Sequence, residues 1–85
     1  MEHMPADLDE MIAREKKLVA IEYQNEAWAD GISEGIEPEI LAEAAFTTAL
    51  TELMRSAGED SALDLIEKMR EQIIAGTFLP ERILQ

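Results

Sequence analysis

The stretch ADLDEMIAREKKLVAIEYQNEAWAD, residues 6–30, decides the fold, because it contains neither proline nor glycine. Its apolar side chains recur at helical spacings from Leu8 to Trp28. Pro5 suits the first turn of a helix, and the acids that follow it are favoured near a helix N-terminus. The pattern therefore predicts a long first helix of about 38 Å. The apolar stripe drifts at residues 14–17, where the pattern allows a bend.

The residues after this stretch indicate a turn and a second helix. Gly31 and Gly35 are expected to bracket the turn, and Pro38 to open the helix. The apolar residues between Leu41 and Ala57 cover more than one helical face, so this helix should be central. Gly58 then supplies a left-handed C-terminal cap.

A third helix follows from a second set of start and stop signals. Ser61 and Asp64 have the spacing of a capping box, with aspartate in place of glutamate. Gly76 is expected to stop the helix, and Pro80 to open a last turn that runs through Leu84.

The sequence thus predicts an all-α fold, an antiparallel three-helix bundle with a long first helix and a short C-terminal helical turn. Residues 1–85 are expected to form a single helical domain, with residues 1–5 disordered and partly a cloning remnant. Helix formers dominate the apolar residues, and valine occurs once. The expected core joins the second helix to the third through Phe46, Leu50, Leu53, Ile66, Met69 and Ile73.

Charge is the most distinctive feature of the chain, whose formal net charge is −12. Between Leu18 and Met54 there are eight acids and neither lysine nor arginine. Several of these acids recur every fourth residue and form a candidate partner-binding face: Glu22, Glu26, Asp30 and Glu34. Like charges at this spacing destabilise a helix slightly. The face is either solubilising surface or the binding site of a basic protein.

Several classes of function are disfavoured by composition. Cysteine is absent, which removes disulfides and thiolate metal sites and suits a reducing cytoplasm. The single histidine is His3, so neither a catalytic constellation nor a metal or cofactor site is predicted. The acidic balance argues against direct nucleic-acid binding. No apolar run is long enough to predict a membrane span or a secretory signal.

One short segment resembles a known modification site. The residues EDSALD, 59–64, are similar to the Asp-Ser-Leu-Asp attachment sequence of acyl carrier proteins, which are also short, acidic and helical. The resemblance implies a phosphopantetheine arm on Ser61 at the start of a helix. It covers six residues, and Ala62 interrupts the motif. The N-terminus of an ordinary helix favours the same residue types.

The functional prediction is therefore a non-enzymatic interaction protein, an adaptor or modulator of another protein. The first helix is too long for the shorter helices to cover, so a homodimer contact is expected at its apolar N-terminal stripe of Leu8, Met11 and Ile12. The alternative is an acidic inhibitor that mimics nucleic acid and occupies the cleft of a basic DNA- or RNA-binding protein.

Overall fold

The computed structural model describes residues 5–80, which contain three α-helices and no strand. Helix α1 spans Pro5–Ser33, α2 spans Pro38–Ala57 and α3 spans Glu59–Ile74. The all-α prediction is confirmed, and α1 is one unbroken helix of 29 residues. The antiparallel arrangement stays a prediction. Pro5 belongs to α1, whereas the disorder predicted for residues 1–4 and the turn predicted through Leu84 lie outside the described residues.

The chain divides into two compact units, Met1–Glu43 and Ala44–Gln85. The first unit contains α1 and the first turns of α2, and the second contains the remainder of α2 and all of α3.

In the first unit, α1 ends through hydrogen bonds made by the backbone of the following turn. The Ile36 N–H donates to the Gly31 carbonyl at 3.1 Å, and the Gly35 N–H donates to the Ile32 carbonyl at 3.0 Å. With Gly35 at a φ of 88°, this pair of bonds forms a Schellman motif. The prediction that Gly31 brackets the turn is wrong, because the helix continues to Ser33 and Gly35 alone provides the reversal.

Gly31 instead lies where α1 and α2 approach each other closely. It is buried, and a Cβ atom added to it would lie 2.5 Å from Cδ2 and 2.8 Å from Cδ1 of Leu41. These distances are shorter than van der Waals contact. The absence of a side chain at Gly31 therefore allows Leu41 to pack directly on the backbone of α1.

In the second unit, Gly58 alone separates α2 from α3. Its φ of 94° and ψ of 173° fall in a region that is essentially restricted to glycine. Gly58 is also the N-cap of α3, which carries no side-chain capping hydrogen bond. The capping box predicted at Ser61 is therefore wrong, because the helix already begins at Glu59 and Ser61 lies inside its first turn.

Little of the second unit is enclosed. Ala62 is the one buried apolar side chain in the described residues, at 6% exposure, and it lines an open groove with Leu50 and Ile66. Leu50, Leu53 and Met69 are half-buried, as a contact between α2 and α3 requires. Phe46 and Ile73 do not fit the predicted core, because they are 51% and 66% exposed. Both lie on helices as predicted, but residues 5–80 leave half or more of each side chain exposed.

The Gly31–Leu41 contact can be tested by a double-mutant cycle. Gly31→Ala alone gains helix propensity of about 0.8–1.0 kcal/mol but displaces Leu41. In the Leu41→Ala background the displacement vanishes, so we expect Gly31→Ala to be more favourable there by at least about 1 kcal/mol. Urea unfolding of the four proteins measures this coupling. Equal effects of Gly31→Ala in both backgrounds would show that the two residues do not interact.

Candidate interaction surface

The candidate acidic face lies on the second half of α1. Glu22, Glu26 and Asp30 are exposed and follow one another at four-residue spacing, about 6 Å apart along the helix axis. Neither lysine nor arginine lies within four residues of any of these three carboxylates in the sequence. The structure therefore forms the expected row of three carboxylates.

Glu34, the fourth acid of the candidate face, lies just outside α1 and not on the helix with the other three. It follows the last residue of α1, and its N–H donates to the carbonyls of Asp30 and Gly31 at 3.0 and 3.1 Å. The Schellman turn at Gly35 is the physical reason, since it ends the helix before Glu34 completes another turn.

The predicted dimer stripe lies in the first half of α1, and all three of its residues, Leu8, Met11 and Ile12, are exposed. This half is almost electrically neutral, because residues 7–20 contain four acids and three bases. An apolar, nearly neutral surface thus adjoins the acidic surface on the same helix.

An open groove of about 450 Å³ runs along α1 and extends from its first half into its second half. Its lining residues recur at intervals of three and four and share one helical face: Ile12, Glu15, Lys16, Val19, Ala20 and Tyr23. Tyr23 is 67% exposed. Sequence reasoning did not single out Val19 and Tyr23 as surface residues. The spacing 12, 16, 19, 23 was the signal that could have found them.

The apolar side chains of α1 in fact occupy two faces of the helix. Leu8, Ile12, Val19 and Tyr23 lie on one face, and a second face carries Met11, Leu18, Ile21, Trp28 and Ile32. Each of these nine side chains is at least 40% exposed. Such a helix presents apolar surface in two directions, which a helix lying on a single core does not.

The second unit carries a smaller groove of about 270 Å³ between α2 and α3. Leu50 and Met54 line it from α2, and Ala62, Leu63 and Ile66 line it from α3. Glu59 is the one charged residue on its wall. Two ion pairs between described residues of this unit, Arg55–Glu52 at 2.8 Å and Arg70–Glu67 at 3.7 Å, lie on exposed helix surface and add little stability.

The structure places the potential metal ligands of the described residues and Ser61 as follows. Among residues 5–80, no three potential ligands of the His, Cys, Asp and Glu types lie close enough to hold a metal ion. Ser61 is half-buried in the first turn of α3 beside Ala62. None of the three described helices is long and apolar enough to cross a bilayer.

Comparison of the chain with protein-family models, with curated proteins and with solved structures finds no match. The surface of this chain is therefore the basis for its proposed function. That surface is defined by the two apolar faces of α1 and by the carboxylate row Glu22, Glu26 and Asp30.

The carboxylate row leads to a prediction about stability. Glu26 has like-charged neighbours at both four-residue spacings, Glu22 and Asp30. Glu26→Lys replaces two repulsive pairs by two attractive ones, so the free energy of unfolding should rise by about 0.5–1 kcal/mol at low salt. Glu26→Gln, which removes only the charge, should give about half of this gain.

Urea unfolding at low salt and in 1 M sodium chloride measures both effects. Screening shortens the Debye length to about 3 Å at 1 M, so most of the difference between the variants should disappear. A gain that persists unchanged at high salt would mean that packing or helix propensity, and not charge repulsion, is responsible.

Proposed function

We propose that this protein is a small, non-enzymatic interaction module that self-associates and acts as an adaptor or modulator of another protein. The observation that carries the proposal is the exposure of all nine large apolar side chains of α1. Most helical stability in proteins comes from packing of an apolar face. A helix whose apolar faces are uncovered is therefore expected to bind a further surface.

The division of charge along α1 assigns different roles to its two halves. The nearly neutral first half, with Leu8, Met11 and Ile12, suits contact with an identical chain, because little repulsion opposes the burial of its apolar side chains. The carboxylates of the second half repel the second half of an identical chain and attract basic side chains. The module would work in a reducing compartment such as the cytoplasm, where the lack of cysteine carries no cost.

The same carboxylate row supports one alternative, an acidic inhibitor that mimics nucleic acid. Rows of negative charge on a rigid helix can occupy a cleft that otherwise binds phosphates. The two functions differ in the nature of the partner. Recovery of a nucleic-acid-binding protein on the full chain, lost in the Glu26→Lys variant and displaced by DNA or RNA, would favour the inhibitor. Retention of the partner in the presence of nucleic acid would favour the adaptor.

Self-association is tested directly by mass. We expect light scattering at tens of micromolar to give twice the 9.5 kDa mass of the chain. Leu8→Glu should shift the protein toward the monomer, because it introduces a charge into an apolar contact. Gln24→Glu is the matched control, since it adds the same charge to a polar, exposed position of α1 and should leave the dimer intact.

Two outcomes would contradict this part of the proposal. One is a monomer mass for the unaltered chain throughout the range. The other is an equal loss of dimer in the Leu8→Glu and Gln24→Glu variants, which would trace the effect to net charge and not to the apolar stripe.

A further inference from the structure

Three exposed residues of α1, Lys16, Tyr23 and Asp30, lie at seven-residue intervals. Successive heptad positions on a straight helix differ by only about 20°, so the three side chains share one stripe. Tyr23 is at the centre, and the lysine and the aspartate lie about 10.5 Å from it in opposite directions along the axis. The stripe follows the open groove of α1, which Lys16 and Tyr23 both line.

Neither charge of the stripe has an ion-pair partner within residues 5–80. The residues three and four positions from Lys16 are Ile12, Ala13, Val19 and Ala20, and none of them is acidic. Those around Asp30 are Glu26, Ala27, Ser33 and Glu34, and none is basic. The helix therefore offers neither charge a local partner of opposite sign.

We propose that the groove binds α1 of a second copy of this chain in antiparallel orientation, with the two-fold axis passing beside Tyr23. In an antiparallel pair with this centre, positions equidistant from Tyr23 lie opposite each other. Lys16 then faces Asp30 of the second copy, and Asp30 faces Lys16 of the second copy. The two tyrosines meet at the axis. This inference rests on the self-association proposed above and specifies its orientation and register.

The residues beside the stripe favour a close approach of the two helices. Ala20 and Ala27 lie on one flank of Tyr23, and Val19 lies on the other. Small side chains allow interaxial distances at the short end of the usual 8–10 Å. The apolar residues Leu8 and Ile12 would extend beyond the C-terminal end of α1 in the second copy, next to its turn with the exposed residue Ile36.

Charge complementarity selects this arrangement over two others. A parallel pair would set Lys16 beside Lys16 of the second copy and Asp30 beside Asp30 of the second copy, which costs energy twice. A uniformly basic helix from another protein would pair with Asp30 but would be repelled by Lys16. The antiparallel second copy satisfies both charges of the stripe.

Charge exchange tests the orientation. Lys16→Asp and Asp30→Lys should each weaken homodimerisation by about tenfold or more, because each replaces two attractive pairs by two repulsive pairs. An equimolar mixture of these two variants should form a heterodimer, since every position 16 then faces an opposite charge at position 30. The double variant Lys16→Asp with Asp30→Lys should dimerise as the unaltered chain does. Sedimentation equilibrium measures all four.

Cysteine cross-linking provides an independent readout, because the chain has no cysteine of its own. Tyr23→Cys should form an intermolecular disulfide readily, since residues that face each other across helices at this spacing have Cα atoms about 3.5–5.5 Å apart. Lys16→Cys should not, because the two copies of position 16 lie about 21 Å apart along an antiparallel pair. Gln24→Cys, on a different face, is the control.

The outcomes separate this inference from the proposal beneath it. A monomer mass for the unaltered chain defeats self-association itself. A dimer in which the mixed variants do not associate, or in which Lys16→Cys cross-links as fast as Tyr23→Cys, leaves self-association standing and overturns the antiparallel register.

Discussion

The distribution of apolar side chains around α1 is the constraint on which the rest of the structure depends. Residues such as Ile12 and Val19 point to one side of the helix, and residues such as Ile21 and Trp28 point to another. A core that covers only one side leaves the other exposed, and here every large apolar side chain of α1 retains much of its exposure. The stability of an 85-residue chain is marginal even with a complete core. The need for further burial therefore links the fold to the proposed self-association.

The boundaries of the helices could be predicted from the sequence because their signals are local. Pro38 opens α2 and Gly76 follows the end of α3, as expected from residues that fix or permit a particular backbone conformation. Gly31 could not be assigned in the same way. The sequence does not distinguish a glycine that forms a turn from a glycine that makes room for a neighbouring side chain. Only the position of Leu41 in the structure shows that Gly31 is of the second kind.

Burial could be predicted less well than secondary structure, because it depends on what the helices pack against. Phe46 has the spacing of a core residue but half of it remains exposed, whereas the small residue Ala62 is the most enclosed apolar side chain. Glu22, Glu26 and Asp30 form a row because α1 is continuous, whereas α1 ends one residue before Glu34. The partner-binding role of these acids stays a prediction. The groove beside Tyr23 was not predicted, because spacing alone does not show which apolar side chains of a helix remain uncovered.

The central claim is that a second chain completes the burial of α1, and the concentration dependence of unfolding tests it most directly. If the folded state is a dimer and the unfolded state is a monomer, mass action stabilises the fold as concentration rises. The account predicts that the thermal midpoint of the full chain climbs steadily as its concentration is raised from about 1 to 100 μM, with the same unfolded baseline. A midpoint that stays constant over this range would show that the chain folds alone and would contradict the account.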